Sequence, residues 1–192
     1  MNETQEKILK RFETIRTKRC VLRKITLDDA QEMYKYCSNP TVTQYTKFNT
    51  HKSIIATQTA IEQIFIPEKL TKWGITLKES DKVIGTIDYL SLDDHSVTLA
   101  YALSQDYWGQ GIVPEAAKEL VKIAFEELSL KVVYASHHIK NEKSGNVMKK
   151  IGMTKWGKDY YFDFKGQPYV ENVIYGMTVE DYKNLKEETL DL

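Results

Sequence analysis

The middle of the chain alternates between strand-like and helix-like patterns, which limits the fold to a few classes. Residues 72–78 (KWGITLK), 82–90 (KVIGTIDYL) and 96–103 (SVTLAYAL) read as strands joined by short polar turns. A helix over about 113–127 follows, with apolar residues at helical spacing, and a short strand over 131–136 comes next. Strands and helices in this order predict an α/β fold, with one mixed sheet covered by helices.

The flanking segments extend this pattern to the order β-α-α-β-β-β-α-β-α-β-β. Pro40 and Pro67 each follow a predicted helix, because the residue before a proline disfavours the helical region. The 192 residues suit a single domain, 1–192, in which about the first 18 form a helical extension. The further predicted elements are helices over 3–16, 26–38, 51–65 and 142–152, strands over 19–25, 153–164 and 169–178, a turn at 165–168, and a polar helix from about 179.

Charge and cysteine content exclude several classes of protein. The 27 Lys+Arg balance the 27 Asp+Glu, and the sequence has no basic block, so we expect no nucleic-acid partner. Cys20 and Cys37 lack a CxxC or metal-ligand spacing and are expected to be free thiols in a reducing cytosol. The N-terminus is charged, unlike a signal peptide, and no stretch is apolar for long enough to span a membrane. We therefore predict a cytoplasmic protein with no membrane partner.

The segment Trp108–Ala116 (WGQGIVPEA) lies between a predicted strand and a predicted helix. Gly109 and Gly111 allow backbone conformations that other residues avoid, and they let a ligand approach closely. The first amides of the helix have no internal partners and face outward with the helix dipole behind them. The segment therefore predicts a phosphate or pyrophosphate site, although a plain tight turn is the simpler explanation of a lone GxG. Pro114 stands where a dinucleotide fingerprint needs glycine, which excludes that motif.

A second polar segment, Asn141–Met153 (NEKSGNVMKKIGM), follows a predicted strand and opens a helix. On local grounds Asn141 is an N-cap and Ser144 a solvated helix residue. Together with the glycine loop, however, the segment resembles the GNAT superfamily of acyl-CoA-dependent N-acetyltransferases, and within it the branch of the ribosomal-protein alanine and serine N-terminal acetyltransferases. The resembling residues are 19–23 (RCVLR), 26–30 (TLDDA), 83–87 (VIGTI), 102–104 (ALS), 107–112 (YWGQGI), 115–116 (EA), Asn141-x-x-Ser144, 150–153 (KIGM) and 169–177 (YVENVIYGM).

The resemblance implies where acetyl-CoA, the expected co-substrate, would bind. Backbone amides of residues 109–113 would hold the pyrophosphate, and the strand that ends at Leu103 would pair with the pantetheine arm. This pairing requires the fourth and fifth strands to splay apart. Val113 stands where the family often has Gly or Ala, and Pro114 supplies no amide donor. The implied cofactor-binding residues are Leu103, Trp108, Gly109, Gln110, Gly111, Ile112, Val113, Asn141 and Ser144.

The family reaction is direct attack of an amine on the thioester, and this sequence departs from the usual catalytic residues. Thr98 stands where many relatives carry a glutamate base, and Met148 where many others carry a tyrosine acid. A free α-amine has a pKa of about 7.7–8.0, against roughly 10.4 for lysine, a gap worth roughly 3.4 kcal/mol of deprotonation. An enzyme without the usual carboxylate base therefore suits a protein or peptide N-terminus better than a lysine side chain.

Other residues are candidates for the missing chemistry. The predicted catalytic residues are Ser144 and Asn141, which the resemblance places near the sulfur and at the pantetheine or acetyl end, and His138, or its neighbour His137, as a base at the end of the fifth strand. The simplest alternative is that Asn141 caps a helix, and that Ser144 and the two histidines are surface residues. The residues predicted to bind the acceptor are Asp88, Tyr101, Tyr169 and Glu171, with Tyr160 and Tyr161 as further cleft walls, and Asp88 and Glu171 are also alternative bases.

Two other functions are compatible with the sequence. A catalytically inactive acyl-CoA-binding protein would bind the coenzyme without turnover. A small-molecule acetyltransferase would act on a polyamine or an aminoglycoside, and such polycations require an acidic cleft. We expect no metal, because the 4 histidines show no zinc-ligand pattern. Members of the family are often dimers, so a homodimer is a further expectation to test.

Overall fold

A computed structural model gives the fold and describes residues 1–163 and 167–190. The strands are β1 (Thr14–Arg16), β2 (Cys20–Arg23), β3 (Lys72–Leu77), β4 (Ser80–Leu92), β5 (Ser96–Leu103), β6 (Val132–His138), β7 (Thr154–Asp163) and β8 (Gln167–Thr178). They form one eight-stranded sheet in the order β1-β2-β3-β4-β5-β6-β8-β7. Every neighbouring pair is antiparallel except β5 and β6, which are parallel. The mixed sheet predicted from the sequence is confirmed.

Helices pack on both faces of this sheet. They are α1 (Glu3–Leu9), α2 (Ala30–Cys37), α3 (Pro40–Thr43), α4 (Ile54–Ala60), α5 (Ile112–Lys122), α6 (Glu142–Lys150) and α7 (Val179–Leu190). A π-helical turn continues α4 through Phe65, and another continues α5 through Glu127. Within the described residues, no helix has both the length and the apolar character that crossing a membrane requires.

Two apolar clusters stabilise these layers, and β5 shows how one strand contributes to both. Val97 and Leu99 pack into the larger cluster with Leu120 of α5, while Ala102 packs against the smaller cluster, which contains Met33 of α2. Successive side chains of a strand face opposite sides of the sheet, so α5 and α2 cover opposite faces. Full burial of a side chain such as Leu120 contributes about 1.5–3 kcal/mol.

The N-terminal segment differs from the prediction. The sequence predicts a helix over 3–16, but α1 ends at Leu9 and β1 follows. In β1, Ile15 lies opposite Leu22 of β2, and its side chain is buried in the core. β-branched residues fit a strand better than a helix, so pairing at the sheet edge prevails over the helical spacing of apolar residues.

Two smaller differences concern short elements. Pro40 begins a one-turn helix, α3, directly after the predicted end of the preceding helix, because proline fits the first position of a helix. The turn predicted at 165–168 falls partly on residues 164–166, which lie outside the described residues, so that part stays a prediction.

The parallel pair β5 and β6 comes apart halfway along β5. Their register runs from Ser96 opposite Val132 to Leu99 opposite Ala135 and stops there. Beyond this point β5 continues beside β4 as far as Leu103, while β6 continues beside β8. The splay predicted between the fourth and fifth strands is therefore confirmed; it lies between β5 and β6 because β1 shifts the strand numbering by one.

Candidate active site

The loop before α5 has the geometry of an anion site. Gly109 and Gly111 both adopt positive φ, 77° and 75° respectively. A residue with a Cβ avoids this region, so both positions favour glycine on conformational grounds. Gly111 is the N-cap of α5, which leaves the amides of Ile112 and Val113 without partners inside the helix. These amides, together with the positive end of the helix, favour a bound phosphate.

Thr17 and Arg19, in the turn between β1 and β2, form a clamp with Glu115 that holds this loop in place. The Glu115 carboxylate accepts hydrogen bonds from Thr17 Oγ1 at 2.5 Å and from Arg19 N and Nε, both at 2.7 Å. Arg19 Nη1 also donates to the Gln110 carbonyl at 2.8 Å, so one guanidinium joins the loop to the first turn of α5. Partial burial alone would raise the pKa of Glu115, but the hydrogen bonds from Thr17 and Arg19 lower it to about 2.

Replacing Glu115 with glutamine is expected to destabilise the protein by about 1–3 kcal/mol at neutral pH, because hydrogen bonds to a carboxylate are lost. The folded-state pKa lies below the ordinary value of 4.5, so this stabilisation is present above that pH and disappears as the pH falls toward about 2. Urea unfolding at several pH values measures it, with Glu119→Gln on the same helix as the control. A deficit that does not shrink in acid would contradict the assignment.

The parted end of β5 has an unpaired backbone edge. Ser104 N donates to Ile84 O, so the even-numbered residues at this end direct their backbone groups to β4. Tyr101 and Leu103 therefore direct theirs toward the space that β6 has left. The Leu103 carbonyl accepts a hydrogen bond from Trp108 Nε1 at 2.9 Å, which joins the end of the strand to the glycine loop. An extended ligand could add to this edge as a further strand.

The start of α6 lies across the gap from this edge. Asn141 is the N-cap, and its backbone carbonyl accepts from Ser144 N at 3.1 Å, but its side chain makes no capping hydrogen bond. The side-chain amide is therefore not used by the helix. Gly145 lets α6 approach β6 closely, because a Cβ there would lie 2.7 Å from His137 Nε2. This close packing fixes the first turn of α6 beside the gap.

Tyr101 joins β5 to α6 at the point where the strands part. Its hydroxyl lies 2.8 Å from Ser144 Oγ and donates to the Ser144 carbonyl at 3.0 Å. Burial raises the pKa of Tyr101, so the phenol stays protonated. Two hydroxyl groups therefore stand together between β5 and α6, which is a connection that the sequence did not predict.

These elements enclose a cleft of about 800 Å³. Lys143 Nζ lies 4.3 Å from the centroid of the Trp108 ring in the wall of the cleft. A smaller cavity of about 400 Å³ continues past Gly111 and is lined by Lys18, Lys118 and Lys150. Both cavities are thus basic next to the glycine loop, which suits an anionic nucleotide. The predicted cofactor residues that line the cleft are Leu103, Trp108, Gly109, Gly111, Ile112, Val113, Asn141 and Ser144.

Gln110, the remaining predicted cofactor residue, belongs to the same loop but has a different environment. Its side chain donates to the Asp106 carbonyl at 3.0 Å, and its own carbonyl accepts from Arg19. The backbone amide of Gln110 stays a predicted contact. The Gln110 side chain instead braces the loop.

The two positions at which common catalytic residues are replaced have ordinary structural surroundings. Thr98 Oγ1 accepts a hydrogen bond from Ser91 Oγ at 3.0 Å across the β4–β5 pair. Met148 is 1% exposed and packs in the larger apolar cluster. Neither side chain can exchange a proton near neutral pH, so an acid or a base has to come from elsewhere.

The two histidines at the end of β6 face opposite sides of the sheet. His137 is buried against α6, and its Nδ1 lies 2.8 Å from the His138 carbonyl. His138 Nδ1 accepts a hydrogen bond from Lys140 N at 3.0 Å, and its ring lies 4.7 Å from the ring of Tyr45 between centroids. In neutral His138 the proton is then on Nε2, so that nitrogen is not available as a proton acceptor in this arrangement. His138 stays a prediction.

The remaining predicted acceptor residues are scattered. Glu171 forms an ion pair with Lys158 across the β7–β8 hairpin. Tyr169 is 77% exposed and has a positive φ of 59°. Neither residue lines the cleft of about 800 Å³, whereas Tyr101 does. Asp88 is a different case: it is almost wholly buried on β4, 3.8 Å from Lys72 Nζ.

Sequence reasoning missed two parts of this site. The Arg19–Glu115 clamp joins residues far apart in the chain. The only sequence signal for it was that both residues belong to segments that resemble the family, 19–23 and 115–116. The wall formed by residues 41–46 was missed as well, although Pro40 at a helix start was a local signal for an ordered segment there. The geometry combines an anion loop, an open strand edge and a hydroxyl pair in one cleft.

Comparison with known proteins identifies what this chain is similar to. The family model described as an acetyltransferase (GNAT) domain matches residues 19–154, which is more than half of the chain. An uncharacterized N-acetyltransferase p20 from Bacillus licheniformis is 29% identical over 156 residues, covering 78% of this chain and 88% of that protein.

Two solved structures have a similar fold. A protein of Vibrio cholerae described as a putative ribosomal-protein-serine acetyltransferase superposes with a TM-score of 0.71 at 20% identity, covering 86% of this chain and 97% of that one. The microcin C7 self-immunity acetyltransferase MccE, solved with acetyl-CoA and AMP, gives a TM-score of 0.72 at 19% identity, covering 84% and 93%. At these identities the likeness concerns the fold.

Proposed function

The chain belongs to the GNAT acetyltransferase family and is an N-acetyltransferase, and from this premise we propose that it transfers the acetyl group of acetyl-CoA to the α-amine of a protein or peptide N-terminus. The observation that carries the proposal is the parting of β5 and β6 after Leu99, directly beside the glycine loop of α5. That arrangement offers one anion site and one open strand edge within a single cleft.

Three features fit acetyl-CoA. The amides at the start of α5 and the lysines around Gly111 suit a pyrophosphate and a phosphorylated nucleotide. The backbone edge at Tyr101 and Leu103 suits an extended arm that carries amide groups. The side chain of Asn141 makes no capping hydrogen bond and borders the same cleft.

The bound acetyl-CoA supplies an activated acetyl group as a thioester. In our proposal, Tyr101 and Leu103 hold the arm through their backbone, and Asn141 orients its far end. Ser144 stands beside the expected position of the sulfur, and its hydroxyl is held by Tyr101 at 2.8 Å. Hydroxyl donors at this point would stabilise negative charge as the carbon–sulfur bond breaks.

The charge of the cleft supports an N-terminal acceptor over a polycation. A polyamine or aminoglycoside acceptor would favour an acidic cleft, whereas the charged residues in this lining are Lys140, Glu142, Lys143 and Lys150. With three positive charges and one negative charge, this lining does not supply the acidic cleft that a polycation would favour. The absence of a base at Thr98 adds to this, because an α-amine needs less help than a lysine side chain to lose its proton.

A competition assay tests the proposal. The full chain is incubated with acetyl-CoA and equal amounts of a peptide with a free α-amine and its N-terminally blocked counterpart that contains lysine. We expect acetylation of the α-amine, with spermidine and an aminoglycoside as poorer acceptors. Preferential lysine or polyamine acetylation would contradict the proposed acceptor. Binding of acetyl-CoA without any turnover would instead favour the inactive binding protein.

A further inference from the structure

The face of β5 on the α2 side carries small side chains near the point where the strands part. Val97, Leu99 and Leu103 are buried on the α5 side, whereas Thr98 and Ala100 on the other side are only partly buried. Ala102 is on the same side and lines the cleft. Between Ala102, in the lining of the cleft, and Thr98, this face of β5 therefore carries only small side chains.

Asp88 of β4 is on the same side of the sheet as these small side chains. It lies directly opposite Ala100, and Thr98 is two residues further along the same face of β5. Side chains related in this way are cross-strand and diagonal neighbours, within reach of the same bound group. A carboxylate at Asp88 therefore lies next to the position where the family's usual glutamate is missing.

Asp88 forms a long ion pair with the buried Lys72, and this pair accounts for only one of its two carboxylate oxygens. Its side chain is only 13% exposed, and the ammonium group of Lys72 lies 3.8 Å from Oδ2, too far for a hydrogen bond. Oδ1 is buried with no hydrogen-bond partner among the described residues. Buried carboxylates normally have partners, and an exception calls for a functional explanation.

We propose that Asp88 is the catalytic base of this enzyme and that the carboxylate has moved from β5 to the neighbouring strand β4. The proposal rests on the proposed acetyl transfer. The ammonium form of the acceptor gives one proton to Asp88, directly or through one water molecule. The neutral nitrogen then forms a bond to the acetyl carbon, the carbon–sulfur bond breaks, and the second proton that the nitrogen loses passes to the thiolate, which leaves a neutral amide and a thiol.

The electrostatic environment of Asp88 is compatible with this role. Burial raises the pKa of Asp88 to about 6, while Lys72 of β3 lowers it and Glu68, which precedes β3, raises it. On the α2 side, burial raises the pKa of Tyr36, so that phenol stays neutral. A base of this strength exchanges protons with an α-ammonium more readily than with a lysine ammonium, which agrees with the proposed acceptor.

The test compares Asp88→Asn, Asp88→Glu and, as a control, Asp28→Asn at an exposed site. For Asp88→Asn we expect kcat/KM to fall by about 10²–10⁴-fold with unchanged acetyl-CoA affinity, and the acid limb of the pH–rate profile to disappear. Asp88→Glu, which keeps a carboxylate, should retain part of the activity and the acid limb of the pH–rate profile. With an acceptor whose amine is already neutral at the assay pH, Asp88→Asn should lower kcat/KM much less.

Two results would overturn the proposal, and they can be told apart. A folded Asp88→Asn protein with kcat/KM within about threefold of the parent and the same acid limb would show that Asp88 is not the base. No acetyl transfer by the parent protein to any α-amine would overturn the proposed function, and the role of Asp88 with it. Thermal unfolding of each variant distinguishes loss of activity from loss of folding.

Discussion

Replacing Gly85 with alanine is expected to destabilise the protein by roughly 3 kcal/mol and to weaken acetyl-CoA binding by about tenfold. An added Cβ would lie 2.4 Å from the Ala102 carbonyl oxygen and 3.0 Å from Leu103 Cα. These are backbone atoms, so no side-chain rotation relieves the clash, and β5 has to move away from β4. The strand that moves is the one whose free edge is proposed to hold the pantetheine arm.

Thermal unfolding and calorimetric titration with acetyl-CoA measure the two effects. A loss of this size corresponds to a decrease in Tm of about 6–12 °C for a chain of this length. Gly157→Ala is the matched control, because no heavy atom lies within 4 Å of the added Cβ there. We expect that variant to remain within about 0.5 kcal/mol of the parent. Equal behaviour of the two variants would mean that the β4–β5 contact is more adaptable than the structure indicates.

Replacing Tyr101 with phenylalanine is expected to lower kcat by about 10²-fold while the Kd for acetyl-CoA stays within about twofold. The substitution removes the hydroxyl that holds Ser144 at 2.8 Å and leaves the ring, so the shape of the cleft is kept. Met148, which stands where many relatives carry a tyrosine, offers no alternative hydroxyl, because its side chain ends in a thioether. Stabilisation of the leaving thiolate therefore falls to a Ser144 hydroxyl that is no longer oriented.

A double-mutant cycle with Ser144→Ala makes this prediction specific. If the two hydroxyls act as one unit, the double variant should be little slower than either single variant. Tyr34→Phe, on α2, serves as the control for removing a tyrosine hydroxyl. If the losses of kcat from the two single variants add fully in the double variant, Tyr101 and Ser144 act independently, which contradicts the prediction. A weaker Kd with unchanged kcat would make Tyr101 a binding residue only.

The glycine loop and the order of elements could be predicted because their signals are local. Gly109 and Gly111 occur where the backbone needs positive φ, and a helix that starts after them exposes its first amides whatever packs around it. The apolar spacing of α5 and the short strands around it likewise depend on near neighbours in the chain. These features indicated both the mixed sheet and an anion site.

The contacts of the clamp and the burial of Asp88 could not be predicted, because they depend on contacts between distant segments. Glu115 reads as an ordinary first-turn glutamate until Thr17 and Arg19 are brought beside it. The sequence named Asp88 as one of several candidate bases, but its burial depends on how β3 and β5 pack on either side of β4. Pairing of Thr14–Arg16 with β2 was missed for the same reason.

By itself, the sequence determined the class of fold, the glycine loop and the family, since these follow from periodicity, backbone preferences and motif order. Only the tertiary structure decided where β5 and β6 part, which hydroxyls meet across the gap, and which carboxylate lies next to Thr98. Those properties arise from strand register and burial, which bring together residues that no local pattern connects. The pKa of an acid or base in the site is set by its surroundings in the folded protein, because desolvation and neighbouring charges exist only once the chain has folded.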